Sequence, residues 1–188
     1  MDQARELVGI IEANSWFMEI LRVVPKRELP DWCVGAGVIR NIVWDYLHSH
    51  ATPSPLADVD VAFFDLSDLS REKDLVLQMQ LTSQRPDVPW EVTNQAGVHL
   101  WFEEHFGHAV EPLRSLHEAV SSWPETATSV AVRLTRKSKV AVLAPLGLDD
   151  LWGMVVRRNP RRVNQATYLK RIEEKRYVDR WPKVRIIR

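Results

Sequence analysis

Cysteine is almost absent: Cys33 is the single thiol in 188 residues. One cysteine excludes an internal disulfide framework and any multi-cysteine zinc or iron–sulfur site. It sits in the apolar run Trp32-Cys33-Val34. There it reads as a small buried hydrophobe, since a reactive thiol wants an electropositive, partly exposed setting. Long hydrophobic runs are also missing; the apolar stretches fall far short of the ~18 residues a membrane span needs. Neither sign of charge is in excess. The 25 Lys+Arg balance the 25 Asp+Glu, which excludes a strongly basic nucleic-acid coat and an acidic tail. No internal repeat, low-complexity tract or long Gly/Ser linker occurs. The mixed-charge start Met1-Asp2-Gln3-Ala4-Arg5-Glu6 is not a signal-peptide core. These absences predict a cytoplasmic chain with no membrane association.

What is present suits an ordinary globule, with 45% hydrophobic and 27% charged residues. Eight tryptophans are many for this length and ask for a large aromatic core or a stacking pocket. Leu7, Ile10, Ile11, Phe17, Met18 and Leu21 follow a helical period, with Asn14 on the same stripe, so one helix is predicted up to Pro25. A loop over 25–31, a buried strand at 32–34 and a tight turn at Gly35-Ala36-Gly37 follow. Helical spacing returns over 38–48, and two prolines mark a loop over 49–56. In Asp58-Val59-Asp60-Val61-Ala62-Phe63-Phe64, the apolar Val59, Val61 and Phe63 share one strand face and the two aspartates the other. Helices are predicted over 71–82, 97–106 and 112–121, with a short strand at 90–92. A hairpin joins 130–134 to 139–143 across Arg136-Lys137-Ser138. Asp149 reads as the cap of a helix over 150–157, and a last helix spans 164–179 with its basic residues outward. The pattern is α/β or α+β with a mixed sheet.

Several motifs fail on inspection. The glycine turn lacks the third glycine of a dinucleotide fingerprint, since Arg40 occupies that position, and the downstream acids come as a pair. No Walker loop and no Gly-x-Ser-x-Gly elbow occur. His105 and His108 beside Glu103 and Glu104 match neither zincin order and read as solvated helix-end residues. Arg157, Arg158, Arg161 and Arg162 form a basic patch, for which a solvated face is the plainer reading and contact with RNA or polyphosphate the sharper one.

Three features combine into one chemistry. Two glycines around Ala36 let the backbone approach a ligand, and the following helix start offers free N–H groups to an anion. Asp58 and Asp60, at i and i+2 on one strand face, lie about 6–7 Å apart along the strand, close enough to share divalent ions. Glu91, opposite in direction to Trp90 and Val92, can project toward the same face. Such a set suits a polyphosphate: the turn holds it, and Mg2+ on the carboxylates neutralises it. Arg40, one turn into the helix, either meets phosphate or pairs with an acid. Asn94, Gln95 and His99 line a base or ribose pocket or serve as turn and cap residues.

At these residues the sequence resembles the DNA-polymerase-beta-like nucleotidyltransferases, whose pattern is a Gly turn, a helix, Asp-x-Asp and a later third acid. The runs 35–45 and 58–61, Trp90-Glu91-Val92-Thr93-Asn94-Gln95-Ala96 with His99, Trp123-Pro124-Glu125-Thr126-Ala127, 144–151 and Trp181-Pro182 also resemble a small bacterial nucleotidyltransferase-like family within that superfamily. The resemblance covers nearly the whole chain. It implies a catalytic core over 1–110, with a helix and hairpin extension over 111–188 packed on it. It implies Mg2+-dependent transfer of a nucleoside monophosphate from a nucleoside triphosphate to an acceptor hydroxyl on a small molecule, RNA or protein. Two Mg2+ ions, or Mn2+, would sit on Asp58, Asp60 and Glu91, and Glu91 would bind metal or act as base. Gly35, Ala36, Gly37, Arg40 and Asn94 would hold the nucleotide. Ala36 departs from the Ser of many active members, which leaves a catalytically inactive binding module and a toxin-type nucleotidyltransferase as alternatives.

Overall fold

The computed structural model describes residues 2–27 and 29–188, so position 28 of the loop expected over 25–31 lies outside the described residues. The helical N-terminus is two helices, α1 (Gln3–Ala13) and α2 (Ser15–Val23). Asn14 separates them: its backbone leaves the helical region at φ −88°, ψ 93°, and its side chain accepts the Phe17 N–H at 3.0 Å. A capping asparagine thus interrupts the single helix that the apolar stripe predicts. Pro25 falls within a short 3-10 turn, Val24–Arg27.

The remaining elements, in order, are β1 (Trp32–Gly35), α3 (Gly37–Leu47), β2 (Val59–Phe63), α4 (Arg71–Gln84) and β3 (Trp90–Asn94). Then come α5 (His99–Phe106), α6 (Leu116–Ser121), β4 (Ala131–Leu134) and β5 (Val140–Leu143). The chain closes with α7 (Asp149–Trp152), β6 (Val155–Arg157), α8 (Gln165–Lys175), α9 (Tyr177–Arg180) and β7 (Arg185–Ile187). The main sheet has the order β3-β2-β1-β4-β5, parallel between β2 and β3 and antiparallel elsewhere. It is a mixed α/β architecture with flanking helices. The expected division at 110/111 passes through this sheet, because β4 pairs directly with β1.

Four expectations change in the C-terminal part. The helix over 150–157 is only α7, and 155–157 instead forms β6, paired in parallel with β7. Asp149 is the first helical residue and not the cap; its carboxylate accepts from Gln3 Nε2 at 3.0 Å. The helix over 164–179 breaks at Arg176, which takes the left-handed conformation (φ 46°, ψ 50°) between α8 and α9. The helix expected over 112–121 starts only at Leu116, where Ser115 accepts the Glu118 N–H.

The two faces of the sheet are covered unequally. Val34, Val59, Val61 and Phe63 enter the main core with α1, α2 and α3. Cys33, Ala62 and Ala131 face the other way, under Leu116 and Val120 of α6. Cys33 is fully buried, and desolvation pushes its thiol well above the ordinary range, so it is inert packing. Trp44 anchors the C-terminal part: its indole donates to Leu151 O at 2.8 Å and meets Trp181 edge-on at 5.3 Å. Trp181 in turn donates to Asp45 Oδ1 at 2.8 Å. No helix of the described residues is long and apolar enough to cross a membrane.

Candidate active site

One row of paired residues runs across four strands. Ala131 of β4 faces Gly35 of β1, Gly35 faces Asp60 of β2, and Asp60 faces Glu91 of β3. Paired residues in adjacent strands project to the same face. Asp60 and Glu91 therefore rise side by side on the thinly covered face, beyond the reach of α6. The row also explains Gly35. A Cβ there would lie 2.6 Å from Ala131 Cβ and 2.7 Å from Val130 O, so strand packing demands this glycine. Gly35 does not line the cavity described next, contrary to its expected phosphate role; Ala36 and Gly37 do.

Ala36 turns the chain from β1 into α3. Its φ of 56° and ψ of −119° form a conformation that glycine adopts freely and alanine at a cost. Two hydrogen bonds hold it there: its N–H donates to Val130 O at 3.0 Å, and its carbonyl accepts the Arg40 N–H at 3.2 Å. No side chain caps the start of α3. Its first N–H groups thus lack a side-chain capping partner among the described residues, and the helix starts at Gly37 on the cavity wall.

A cavity of about 210 Å³ is lined by Ala36, Gly37, Arg40, Asp58, Asp60 and Glu91, so one space gathers most of the residues that the sequence singled out. Asp58 Oδ1 and Arg40 Nη2 stand 3.7 and 3.8 Å from the position of a Gly37 Cβ. None of the three carboxylates has a side-chain hydrogen bond or ion pair among the described residues. Burial, then the charges of Asp58 and Glu91, push the Asp60 carboxyl up to about 7. Burial and Asp58 raise Glu91 as well. The acids repel one another and none is neutralised by an ion pair among the described residues, and hard oxygen donors in that state suit a divalent cation. Among the described residues, no three His, Cys, Asp or Glu side chains are drawn close enough together to hold an ion.

Arg40 is 6% exposed and forms no ion pair with an acid among the described residues. Its Nε and Nη2 donate to Asn41 Oδ1 at 3.2 and 2.7 Å. Its guanidinium packs over three rings, Tyr177 at 5.0 Å, Trp181 at 5.4 Å and Trp44 at 5.6 Å. A cation so placed keeps donors for an anion at the turn. Asn94 does not reach the cavity. Its Oδ1 accepts from Asp65 N and Ala96 N, and its Nδ2 donates to Asp65 O and Asp68 O, so it is spent closing the turn after β3.

Two residues on the cavity wall escape sequence reasoning. Arg171 and Lys175, one turn apart on α8, line it from the opposite side and oppose the charge on Asp60. The expected outward basic face of this helix is thus in part an inward one. Arg171 is fixed by Glu125, which is 1% exposed, at 2.9 Å. Trp123, Pro124 and Glu125 on the same wall belong to a segment that carried the resemblance. The basic patch is in part a solvated face, with Arg157 and Arg161 exposed, and each of its arginines is also hydrogen-bonded. Arg157 pairs with Asp150 at 2.9 Å, while Arg158, Arg161 and Arg162 donate to Val163 O, Ser121 Oγ and Glu111 O.

Known proteins resemble this chain in sequence or fold. A family model described as nucleotidyltransferase matches residues 22–186. An NMR structure described as revealing a CCA-adding enzyme head domain is 26% identical, with a TM-score of 0.84 over all of this chain and 97% of that one. A CCA-adding enzyme in complex with CTP (11% identity, TM-score 0.57) covers 98% of this chain and 43% of its own length. The Thermotoga maritima CCA-adding enzyme complexed with tRNA (12%, TM-score 0.56) covers 98% and 42%. At those identities the two enzymes share the fold, and this chain spans less than half of either. Among curated proteins, none matches. The family match over most of the sequence, on a fold that sets the glycine turn beside the acids, settles the class: the chain belongs to the nucleotidyltransferase family.

Proposed function

We propose that the chain moves a nucleoside monophosphate from a nucleoside triphosphate to an acceptor hydroxyl, with Mg2+ or Mn2+ as cofactor. The observation that carries this reading is the strand row that sets Asp60 and Glu91 beside the Ala36-Gly37 turn, with Asp58 on the same cavity. The free N–H groups of α3 and the caged Arg40 hold the β- and γ-phosphates. Asp58 and Asp60 would hold the divalent cation, which when bound neutralises the phosphates and lowers the cost of gathering three acids. Arg171 and Lys175 add positive charge from α8. The acceptor oxygen attacks the α-phosphorus and forms a new P–O bond. The bond from that phosphorus to the bridging oxygen breaks, and pyrophosphate leaves with the electron pair. The hydroxyl proton passes to Glu91, whose raised proton affinity suits a base.

The test is calorimetry with Mg2+ and each nucleoside triphosphate on wild type and on the Asp58→Ala/Asp60→Ala double variant. CTP and ATP lead the set, since structural neighbours are complexed with each. Wild type is expected to bind at least one nucleotide, and the double variant to bind it at least tenfold more weakly. Equal binding in both removes the assignment. A second reading, a binding module without turnover, is favoured by Ala36, which has no hydroxyl for phosphate. A labelled-nucleotide transfer assay in cell extract separates the two: intact binding with no labelled acceptor supports the module.

A further inference from the structure

A second cavity, of about 230 Å³, adjoins the first. The two share Asp60, Glu91, Trp123, Pro124 and Arg171, but the second touches neither the Ala36-Gly37 turn, nor Arg40, nor Asp58. Its far wall is aromatic, with Trp101, Phe102 and Phe106 of α5 and, beyond the helix, His108. Phe102 and Phe106 stand 4.5 Å apart, and His108 meets Phe102 edge-on at 5.3 Å. Arg162 lies over the Phe102 ring at 5.6 Å, and its Nη1 is buried with no hydrogen-bond partner among the described residues. Its Nη2 is spent on Glu111 O. Arg162 also lines a groove of about 560 Å³ on the outer side, together with Arg158 and Arg161. Among the described residues, none of these three guanidiniums pairs with a carboxylate. Glu111 and Glu118 border the groove, and Glu118 is already engaged by the Arg114 N–H at 2.8 Å.

The order of these features along one path matters: acids, then rings, then arginines. In phosphoryl transfer the attacking and leaving oxygens lie roughly in line across the phosphorus. With the leaving pyrophosphate on the turn and Arg40, the attacking hydroxyl must enter across Asp60 and Glu91, where this second cavity opens. This step rests on the nucleotidyl-transfer reading above. The cavity is smaller than a drug-sized pocket, so its aromatic part takes one base and the rest of a ligand lies toward the shared acids. Aromatic walls take the face of a flat ring, and the Arg162 guanidinium, which borders both cavities, takes an anionic oxygen. We infer that this cavity is the acceptor site and that it takes a nucleoside bearing a 5′-phosphate, with the base among the rings of α5, a ribose hydroxyl beside Glu91 and the phosphate on Arg162.

That chemistry has two sources, a free mononucleotide or the terminal nucleotide of a single strand. The experiment is equilibrium dialysis of labelled AMP and CMP with the full chain, saturated with Mg2+ and a non-hydrolysable triphosphate analogue. Wild type is expected to bind at least one monophosphate while the analogue stays bound, and the matching unphosphorylated nucleoside at least tenfold more weakly. Arg162→Gln and Trp101→Leu should each weaken the monophosphate at least tenfold without weakening the analogue. Trp101→Leu serves where the loss of the Arg162 bond to Glu111 O unfolds the loop. Displacement of the monophosphate by the analogue, or unchanged affinity in both variants, overturns the inference. A twelve-nucleotide single strand binding at least a hundredfold tighter than the monophosphate assigns the strand as source, and comparable binding assigns the free nucleotide; both uphold the site. A wild type that binds the triphosphate analogue but no monophosphate sinks the cavity assignment and leaves the transfer reading standing. A wild type that binds the monophosphate but no triphosphate sinks the transfer reading, and the acceptor role with it.

Discussion

Two glycines that look alike in the sequence do different work. Gly35 is required by the fold, because any Cβ would press into β4 within 3 Å of three atoms. Gly35→Ala should destabilise the protein by about 2–3 kcal/mol, by overpacking, in urea denaturation. At Gly37 an added Cβ meets only ordinary contacts, at 3.7 and 3.8 Å. Gly37→Ala should therefore fold normally, within about 1 kcal/mol of wild type, yet weaken triphosphate binding at least tenfold where the methyl group blocks backbone approach. Equal effects of the two changes on stability would contradict this division. Asp74 offers a test of buried charge on α4. It is buried, accepts the Asn94 N–H at 3.0 Å, and desolvation raises its carboxyl to about 6. A carboxyl raised on folding binds its proton more tightly in the native state. Its contribution is full below the unfolded value near 4, is lost between pH 4 and 6, and is flat above. Asp74→Asn keeps an oxygen for that N–H and removes the charge. The variant should gain stability over wild type as pH rises through this window, by on the order of 2–3 kcal/mol at pH 7. Parallel curves of melting temperature against pH would refute it.

At the level of elements, local pattern reveals some placements and cannot reveal others. The β1 turn, the alternation of β2 and the β4–β5 hairpin are visible because period-two burial and turn residues are local properties. Glu91 is legible for the same reason: opposite in direction to two apolar neighbours, it must face away from the main core. The breaks at Asn14 and Arg176 are less visible, since each interrupts a helical stripe that continues on both sides. β6 and β7 are three residues each and exist only through pairing 30 positions apart. The inward turn of α8 is not local at all. Tyr168 and Ile172 mark its buried face, but Arg171 faces the acids because Glu125, 46 residues earlier, holds it. This pair carries its own prediction. Arg171→Ala leaves a buried carboxylate unpaired and should cost about 3–5 kcal/mol in stability. Lys175→Ala removes a cation that makes no ion pair among the described residues, so it should leave stability within about 0.5 kcal/mol and weaken triphosphate binding. If the lysine variant unfolded as readily as the arginine one, α8 would be a structural strut and not a wall of the site.

For the molecule as a whole, both ends of the chain build the same cavity. The turn and acids come from residues 36–91, and the opposing wall from Trp123 to Lys175. The same interdependence holds in the core, where Tyr177 and Trp181 cover the Trp44 and Arg40 side of α3. A fragment of residues 1–110 would lose β4 and β5, bare the β1 edge, and strip Tyr177 and Trp181 from Trp44 and the Arg40 guanidinium. An unpaired strand edge and a stripped apolar surface are unfavourable together. The fragment should melt without a cooperative transition in circular dichroism, where the full chain shows one. Were it to melt cooperatively within about 10 °C of the full chain, residues 111–188 would be an accessory to a self-sufficient core. Arg171 and Lys175 would then act as a detachable cover over the acids, and the site could be assembled from the first 110 residues without them.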